Sequence, residues 1–363
     1  MNTYTEISLA AIKHNIAEIR KLLSPAVKFM AVVKANAYGH GAPAVARAAV
    51  EAGADYLAVA NLKESLELRE AGLLSPILIL TESPTSVMDE IIQYELSQTI
   101  YSISEAQALS DEAHKRNKTV PVHVKVDTGM GRVGVAPSEA NAFVTKVASL
   151  PGIKLEGIFT HFAQAEDQDG DFTQQQFQRF SQVLSKVNGI PIKHAANSAA
   201  VLFHPNTQLD MVRVGLMMYG LYPEGNSRNK VRLEPALSFK SRVTYLKKIT
   251  TGTPVSYGCT YVATKNTTIA TIPVGYADGY SRRLSGRGQV LIRGKRFPVV
   301  GRVTMDLTMV DVGDSKVDVG DEVVLIGEQN GQIISADELA RLEDTISYEV
   351  ICGIGKRVPR IYK

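Results

Sequence analysis

The amino-acid sequence predicts an α/β protein, a (β/α)8 TIM barrel followed by a mostly β C-terminal domain, and three observations carry that reading. Between Phe29 and about Gly215, short apolar runs alternate with longer stretches of helical period, the mark of βα units. After Glu234-Pro235 the pattern changes to Val, Thr and Tyr in short runs punctuated by glycine, which reads as all-β. The 363 residues also leave room, at roughly 150 per domain, for two domains, or for one barrel of about 250 residues with about 110 to spare. The expected domains are residues 1–233 and 234–363.

Eight apolar runs stand at the expected strand positions: Phe29 to Val33, Tyr56 to Ala60, Ile77 to Leu80, Leu96 to Ile100, Val120 to Val126, Ile153 to Phe159, Ile192 to Ala195 and Met211 to Val214, the fourth and seventh being the weakest. Pro43 to Ala52, Lys63 to Ala71, Ser104 to Arg116, Ser138 to Leu150 and Phe172 to Val187 are each long enough for a helix between them. Ser8 can cap a leading helix whose apolar residues Leu9, Ile12, Ile16, Ile19 and Leu23 keep helical spacing. In the second domain, Val290 to Ile292, Val299 to Val303 and Val323 to Ile326 read as strands. Asn330-Gly331 predicts a two-residue hairpin turn, because both residues tolerate positive φ.

Forty Lys+Arg against 37 Asp+Glu, scattered along the chain, make nucleic acid and anionic membranes poor partners. Two cysteines, Cys259 and Cys352, build neither a disulfide framework nor a zinc site, and no metal site is expected. No signal peptide is readable at the N-terminus, and no apolar run approaches the ~18 residues of a membrane helix, so a cytoplasmic setting is expected.

In a barrel, polar residues just after the strands line the mouth where the chemistry is done. Here they are Lys34 after the first strand, Asp127 to Arg132 after the fifth, His161 after the sixth, Asn197 and Ser198 after the seventh, and Arg213 at the end of the eighth. A partly desolvated Lys34 gains nucleophilicity toward a carbonyl, although a lone strand-end lysine also reads as one that reaches back to water. Asn197-Ser198 and Arg213-Val214-Gly215 suit a phosphate, with a plain helix cap as the simpler reading of Ser198. His161, His40 and His194 read equally well as satisfied core histidines, Tyr257 as a sheet aromatic and Cys259 as packing. Gly129-Met130-Gly131-Arg132-Val133-Gly134 matches G-x-G-x-x-G, but Pro137-Ser138 places the helix start beyond the glycines, so a dinucleotide site is rejected.

Taken together these residues resemble the alanine racemases, which use pyridoxal 5′-phosphate (PLP) on a fold-type-III barrel. The resemblance rests on Ala31-Val32-Val33-Lys34-Ala35-Asn36-Ala37-Tyr38-Gly39-His40-Gly41, Lys125 to Arg132, His194 to Ser198, Met211 to Gly215, Val255 to Tyr261, Gly275 to Gly279, Gly301 to Asp306 and Arg357 to Arg360, all in the family's order. It implies PLP-dependent interconversion of L- and D-alanine that supplies D-alanine for peptidoglycan. It also implies a homodimer whose β domains complete each other's barrel mouths, with the first ~10 residues pairing with the C-terminal domain.

Lys34, carrying PLP, and Tyr257 would be the two bases on opposite faces, with His161 and Arg213 supporting Tyr257 and Arg213 facing the pyridine nitrogen. Tyr38, Asn197, Ser198, Gly215 and Tyr348 would hold the cofactor. Arg132, Met305, Tyr276 and Asp306 would meet the amino-acid substrate, and Lys125 matches a lysine that many members carbamylate. Thr304 and Leu307 depart from the Cys and Gln of many members, beside the pocket that sizes the side chain. A serine or broad-specificity racemase is the nearest alternative, because one methylene is worth only ~1–3 kcal/mol in such a pocket. A non-catalytic PLP carrier shares the barrel alone, and the cysteine-centred signature of fold-type-III decarboxylases is not found around Cys259 or Cys352.

Overall fold

The computed structural model describes residues 2–168, 170–223 and 227–363. The chain divides into two compact units: one of Ala11–Ala37 and Ala42–Glu234, the other of the residues up to Ala10 with Tyr38–Gly41 and Pro235–Lys363.

In the first unit, eight parallel strands close into a barrel: Lys28–Val32, Tyr56–Val59, Ile77–Ile79, Ser97–Ile100, Val120–Lys125, Ile153–Phe159, Ile192–His194 and Met211–Val214. The first strand closes the ring by pairing with both the second and the eighth, with Met30 opposite Tyr56 on one side and Arg213 on the other. All eight apolar runs became strands, because a barrel strand is covered on both faces and retains only apolar side chains over most of its length. Helices Ala42–Glu51, Leu62–Glu70, Ile103–Lys115, Ala140–Ala148 and Asp171–Leu184 connect them. Asn61 caps the second of these by accepting from the Glu64 amide at 3.1 Å. The leading helix, Leu9–Arg20, buries Ile12, Ile16 and Ile19 on one stripe. Its Asn15 donates to Met218 O and Glu234 O and accepts from the Glu234 amide at 2.7 Å, satisfying buried backbone groups at the end of the barrel segment.

In the second unit, strands run in the order Lys295–Pro298, Gln289–Ile292, Glu322–Gln329, Leu237–Arg242, Tyr4–Ile7 and Arg360–Tyr362. The N-terminal strand thus lies between one that opens the C-terminal part of the chain and one that ends it, with Thr5 opposite both Phe239 and Arg360. Gln332–Ile334 folds back on Glu322–Gln329 through Asn330-Gly331, at φ 51° and 80°, in the expected two-residue turn. A second sheet, Tyr245–Ile249, Thr267–Ile272 and Thr308–Asp311, contributes Ile249 and Ile269 to a core with Ala263 and Val300. Among the described residues no helix is long and apolar enough to cross a membrane.

Candidate functional site

The barrel's strand ends gather cations. Lys34 leaves the first strand half-buried and opens a turn in which Ala35, Asn36, Ala37 and Tyr38 all take left-handed backbone, at φ 52° to 53°. For residues with a Cβ this costs roughly 1–2 kcal/mol each, so the surroundings must hold it. They do so at both ends. Glu64 accepts from the amides of Ala35 (2.8 Å) and Ala60 (2.7 Å), and Asn36 Oδ1 accepts from the Ala42 amide at 2.9 Å. Glu64 is a positioning residue that the sequence reading missed, since its role depends on two strand ends being neighbours.

After the fifth strand, Asp127 turns back into its own loop, accepting from the amides of Gly129 (3.0 Å) and Gly131 (3.0 Å). The glycine run therefore wraps an internal carboxylate, which explains physically why it offers no dinucleotide cradle. These amides hold the Asp127 carboxyl below its ordinary value against the opposing effect of burial. Lys125 is buried, with Nζ 3.0 Å from Val126 O and 5.5 Å from the centre of the Phe159 ring. Burial, helped by nearby Arg213, lowers its amine to about 7. Arg132 stands exposed on the same loop.

Arg213 is buried and held by four neighbours. Its Nη2 donates to Thr160 O (2.7 Å), Ala195 O (2.8 Å) and His161 Nδ1 (3.1 Å), and its Nη1 to His194 Nδ1 (2.9 Å). Burial brings its guanidinium down to about 9, which leaves it charged at neutral pH. His161 and His194 lie well below the ordinary histidine value, first through burial and then through Arg213, so both rings are neutral. Asn197 caps the helix Ser198–Phe203, and the Ser198 hydroxyl accepts from the Gly215 amide at 3.1 Å. The structure thus brings Lys34, Lys125, His161 and Arg213 into one electrostatic neighbourhood with Arg132, and joins Ser198 to Gly215.

The second unit carries the other predicted residues. Tyr38 is buried 5.9 Å, ring centre to ring centre, from Tyr348, and burial raises its phenol above the ordinary value. The turn Tyr276–Asp278 is tied to the loop 304–307: the Tyr276 amide donates to Thr304 O (3.0 Å) and the Ala277 amide to Met305 O (3.1 Å). A Cβ on Gly275 would collide with both carbonyls, so only glycine allows this approach. Arg357 locks the pair by donating to Asp278 and Asp306, each at 2.7 Å. Asp306 is thus ion-paired with Arg357 through one oxygen, beside Met305, with its side chain 60% exposed. Tyr257 lies in a short turn, Tyr257–Cys259, and is 73% exposed in the chain, not a sheet aromatic; Cys259 is also exposed, which overturns the packing reading. The turn is shaped by positive φ at Ser256, Gly258 and Cys259, a cue that only Gly258 gave in the sequence.

Two family models match, one described as the alanine racemase N-terminal domain over residues 7–223 and one as the C-terminal domain over residues 236–362. The chain is 50% identical to an alanine racemase of Halothermothrix orenii, covering 99% of this chain and 97% of the relative. It is 49% identical to one of Desulforamulus reducens, covering 99% and 98%. It is also similar to a solved alanine racemase structure from Clostridium difficile 630, with a TM-score of 0.96 and 39% identity over 100% of this chain and 96% of that one. A Bacillus anthracis alanine racemase solved with bound L-Ala-P gives 0.94 and 38% over 100% and 95%.

Proposed function

We propose the function from one premise: the chain belongs to the alanine racemase family, and it is a racemase. From that premise we propose that it interconverts L- and D-alanine with PLP and two bases on opposite faces of the substrate, in the cytoplasm, supplying D-alanine for peptidoglycan. The observation that carries this reading is the donor set of the barrel mouth: Lys34, Lys125, Arg132 and Arg213, with the nearby Asp127 carboxylate already engaged by glycine amides. Such an excess of cations and hydrogen-bond donors fits an anionic cofactor and a substrate carboxylate. PLP, when bound, supplies a ring that takes up the electron pair left behind by a departing α-proton. Lys34 would hold it covalently, Asn197 would adjoin it, and Tyr38, Ser198, the Gly215 amide and Tyr348 would hold its phosphate.

The side chains divide the work. Lys34 takes or returns the α-proton on one face and Tyr257 on the other, so that the two enantiomers exchange by opposite routes. Arg213 would face the pyridine nitrogen of bound PLP and, because a guanidinium does not readily surrender its proton, would keep that nitrogen unprotonated and favour racemisation over transamination. His161 accepts from Arg213 at Nδ1, which leaves its Nε2–H to support the Tyr257 phenolate. Arg132 and the Met305 amide bind the carboxylate, and Tyr276 walls the methyl pocket. The lowered Lys125 amine suits carbamylation, which would set an anion beside Arg132. The protein works as a homodimer in which Tyr257, Tyr276, Met305 and Asp306 serve the partner's barrel.

Proton NMR of L-alanine with the PLP-loaded protein in D2O, followed by chiral separation, tests this reading. Loss of the Cα proton together with D-alanine is the expected result. Exchange without inversion would refute the two-base assignment. Inversion of L-serine at an equal or greater rate would replace alanine as the substrate.

A further inference from the structure

Behind Arg213, away from the groups assigned to substrate or cofactor, the barrel interior holds a line of polar side chains that the proposed chemistry leaves unused. His194 Nε2 lies 2.9 Å from His123 Nδ1, and His123 Nε2 lies 3.5 Å from Glu156 Oε2. Both imidazoles are completely buried, while Glu156, at 13% side-chain exposure, also accepts from Lys154 Nζ at 3.1 Å on its other oxygen. We infer that Arg213, His194, His123 and Glu156 form one polarised relay, two hydrogen bonds closed by the 3.5 Å charge contact of His123 with Glu156, in which Glu156 is a counter-charge of the buried guanidinium and a positioning residue for it.

The direction of the relay follows from donor counting. A guanidinium has donors only, so His194 Nδ1 must accept from Arg213 Nη1, and the single proton of neutral His194 sits on Nε2. That Nε2–H then donates to His123 Nδ1, which places the His123 proton on its own Nε2, facing the carboxylate. Any other arrangement sets two hydrogens against each other or buries a second cation beside Arg213. Glu156 enforces the same direction from the other end, since a carboxylate only accepts. Its acid is held down to about 2, first by the His123 imidazole beside it and, against the effect of burial, by Lys154, while burial keeps His123 neutral.

The strands are shaped to make this contact. The pairing of Val120–Lys125 with Ile153–Phe159 jumps between Val122 opposite Leu155 and His123 opposite Gly157, which leaves Glu156 as the extra residue of a bulge. A Cβ at position 157 would overlap the His123 ring, so Gly157 is what admits the imidazole. His194 is further fixed by stacking on Phe159, with ring centres 4.6 Å apart and planes at 11°. Among the described residues Arg213 makes no carboxylate contact, so the relay links it to a negative charge across two neutral rings.

The importance of the relay for racemisation rests on the proposed function, but its existence is testable without it. Magic-angle-spinning ¹⁵N NMR of the histidine-labelled, full-length protein without PLP should show His123 and His194 both protonated at Nε2 only, with the pair assigned through their nitrogen-to-nitrogen contact. A proton on Nδ1 of either ring would overturn the proposal. Glu156→Gln keeps an acceptor and removes the charge, so the Nε2–H resonances of both His123 and His194 should shift. A shift confined to His123 would break the relay at that point. In the PLP-loaded enzyme the same variant should lose kcat by roughly 10- to 100-fold, the size seen when a carboxylate that orients a metal-bound imidazole is removed, with little change in KM. Full activity in Glu156→Gln would reduce Glu156 to a structural acceptor. If the protein neither binds PLP nor racemises alanine, the functional reading fails while the two NMR results still decide the relay.

Discussion

The barrel mouth and the turn that carries Tyr257 differ in how their chemistry is prepared. Lys125, His161 and Arg213 are enclosed by their own unit, each with its charge state set by burial and by neighbours a few ångströms away. Tyr257, Tyr276 and Met305 stand at 73%, 43% and 52% exposure, held in place by backbone turns and by Arg357. One region is tuned from within the chain. The other is positioned by the chain and left open to solvent, which is what the proposed homodimer would cover.

The largest expected effect attacks this contrast directly. Lys34→Ala and Tyr257→Phe should each lose roughly 10²-fold to 10⁴-fold or more in racemisation when assayed alone. Mixed and allowed to exchange subunits, the two inactive proteins should regain about a quarter of wild-type activity, because half the dimers are mixed and each holds one intact site. No recovery on mixing would mean that both residues serve the same subunit. Next in size, Arg213→Glu should turn part of the reaction toward transamination, read as pyruvate formed per racemisation event. Unchanged pyruvate would remove Arg213 from the control of fidelity.

A smaller effect concerns packing. Gly157→Ala pushes a methyl into His123 and should destabilise the protein by ~1–3 kcal/mol, measured by urea denaturation. The corresponding change at Gly286, where nothing lies near a built Cβ, tests φ strain alone at φ 67°. The smallest effect is a pH dependence. The folded Lys125 amine sits near 7 against an ordinary value of 10.5, so between those limits the unfolded chain binds more protons and this group makes stability rise with pH. Below about 7 the folded state must bury the charge. Lys125→Met should therefore flatten the rise in urea midpoint between pH 7 and 10, and an identical slope in both proteins would place the Lys125 amine at its ordinary value.

Much of the fold was legible because barrel strands are apolar on both faces and short, so the eight runs stood out against helices of different period. The motif residues Lys34, Arg213 and Ser198 were legible because each is a polar group at the end of an apolar strand. The second layer was not. Glu64, His123 and Glu156 owe their roles to contacts between strands, and their local cue, a charge within an apolar run such as Leu155-Glu156-Gly157-Ile158-Phe159, is shared by many surface positions. The left-handed turn Ala35–Tyr38 was hidden for a related reason: its residues individually favour a right-handed helix, and Glu64 and Asn36 hold the turn open.

By itself, then, the sequence determined the order of strands and helices, the change to a β-rich second part and the residues able to do chemistry, since periodicity and residue type are properties of the chain alone. Only the tertiary structure decided which of those residues share a dielectric and a proton. Barrel register sets Arg213 against His194 and His194 against His123, and the bulge at Glu156 turns a carboxylate toward the end of that line. Burial then fixes the charges, because desolvation and hydrogen-bond direction depend on neighbours in space and not on neighbours in sequence.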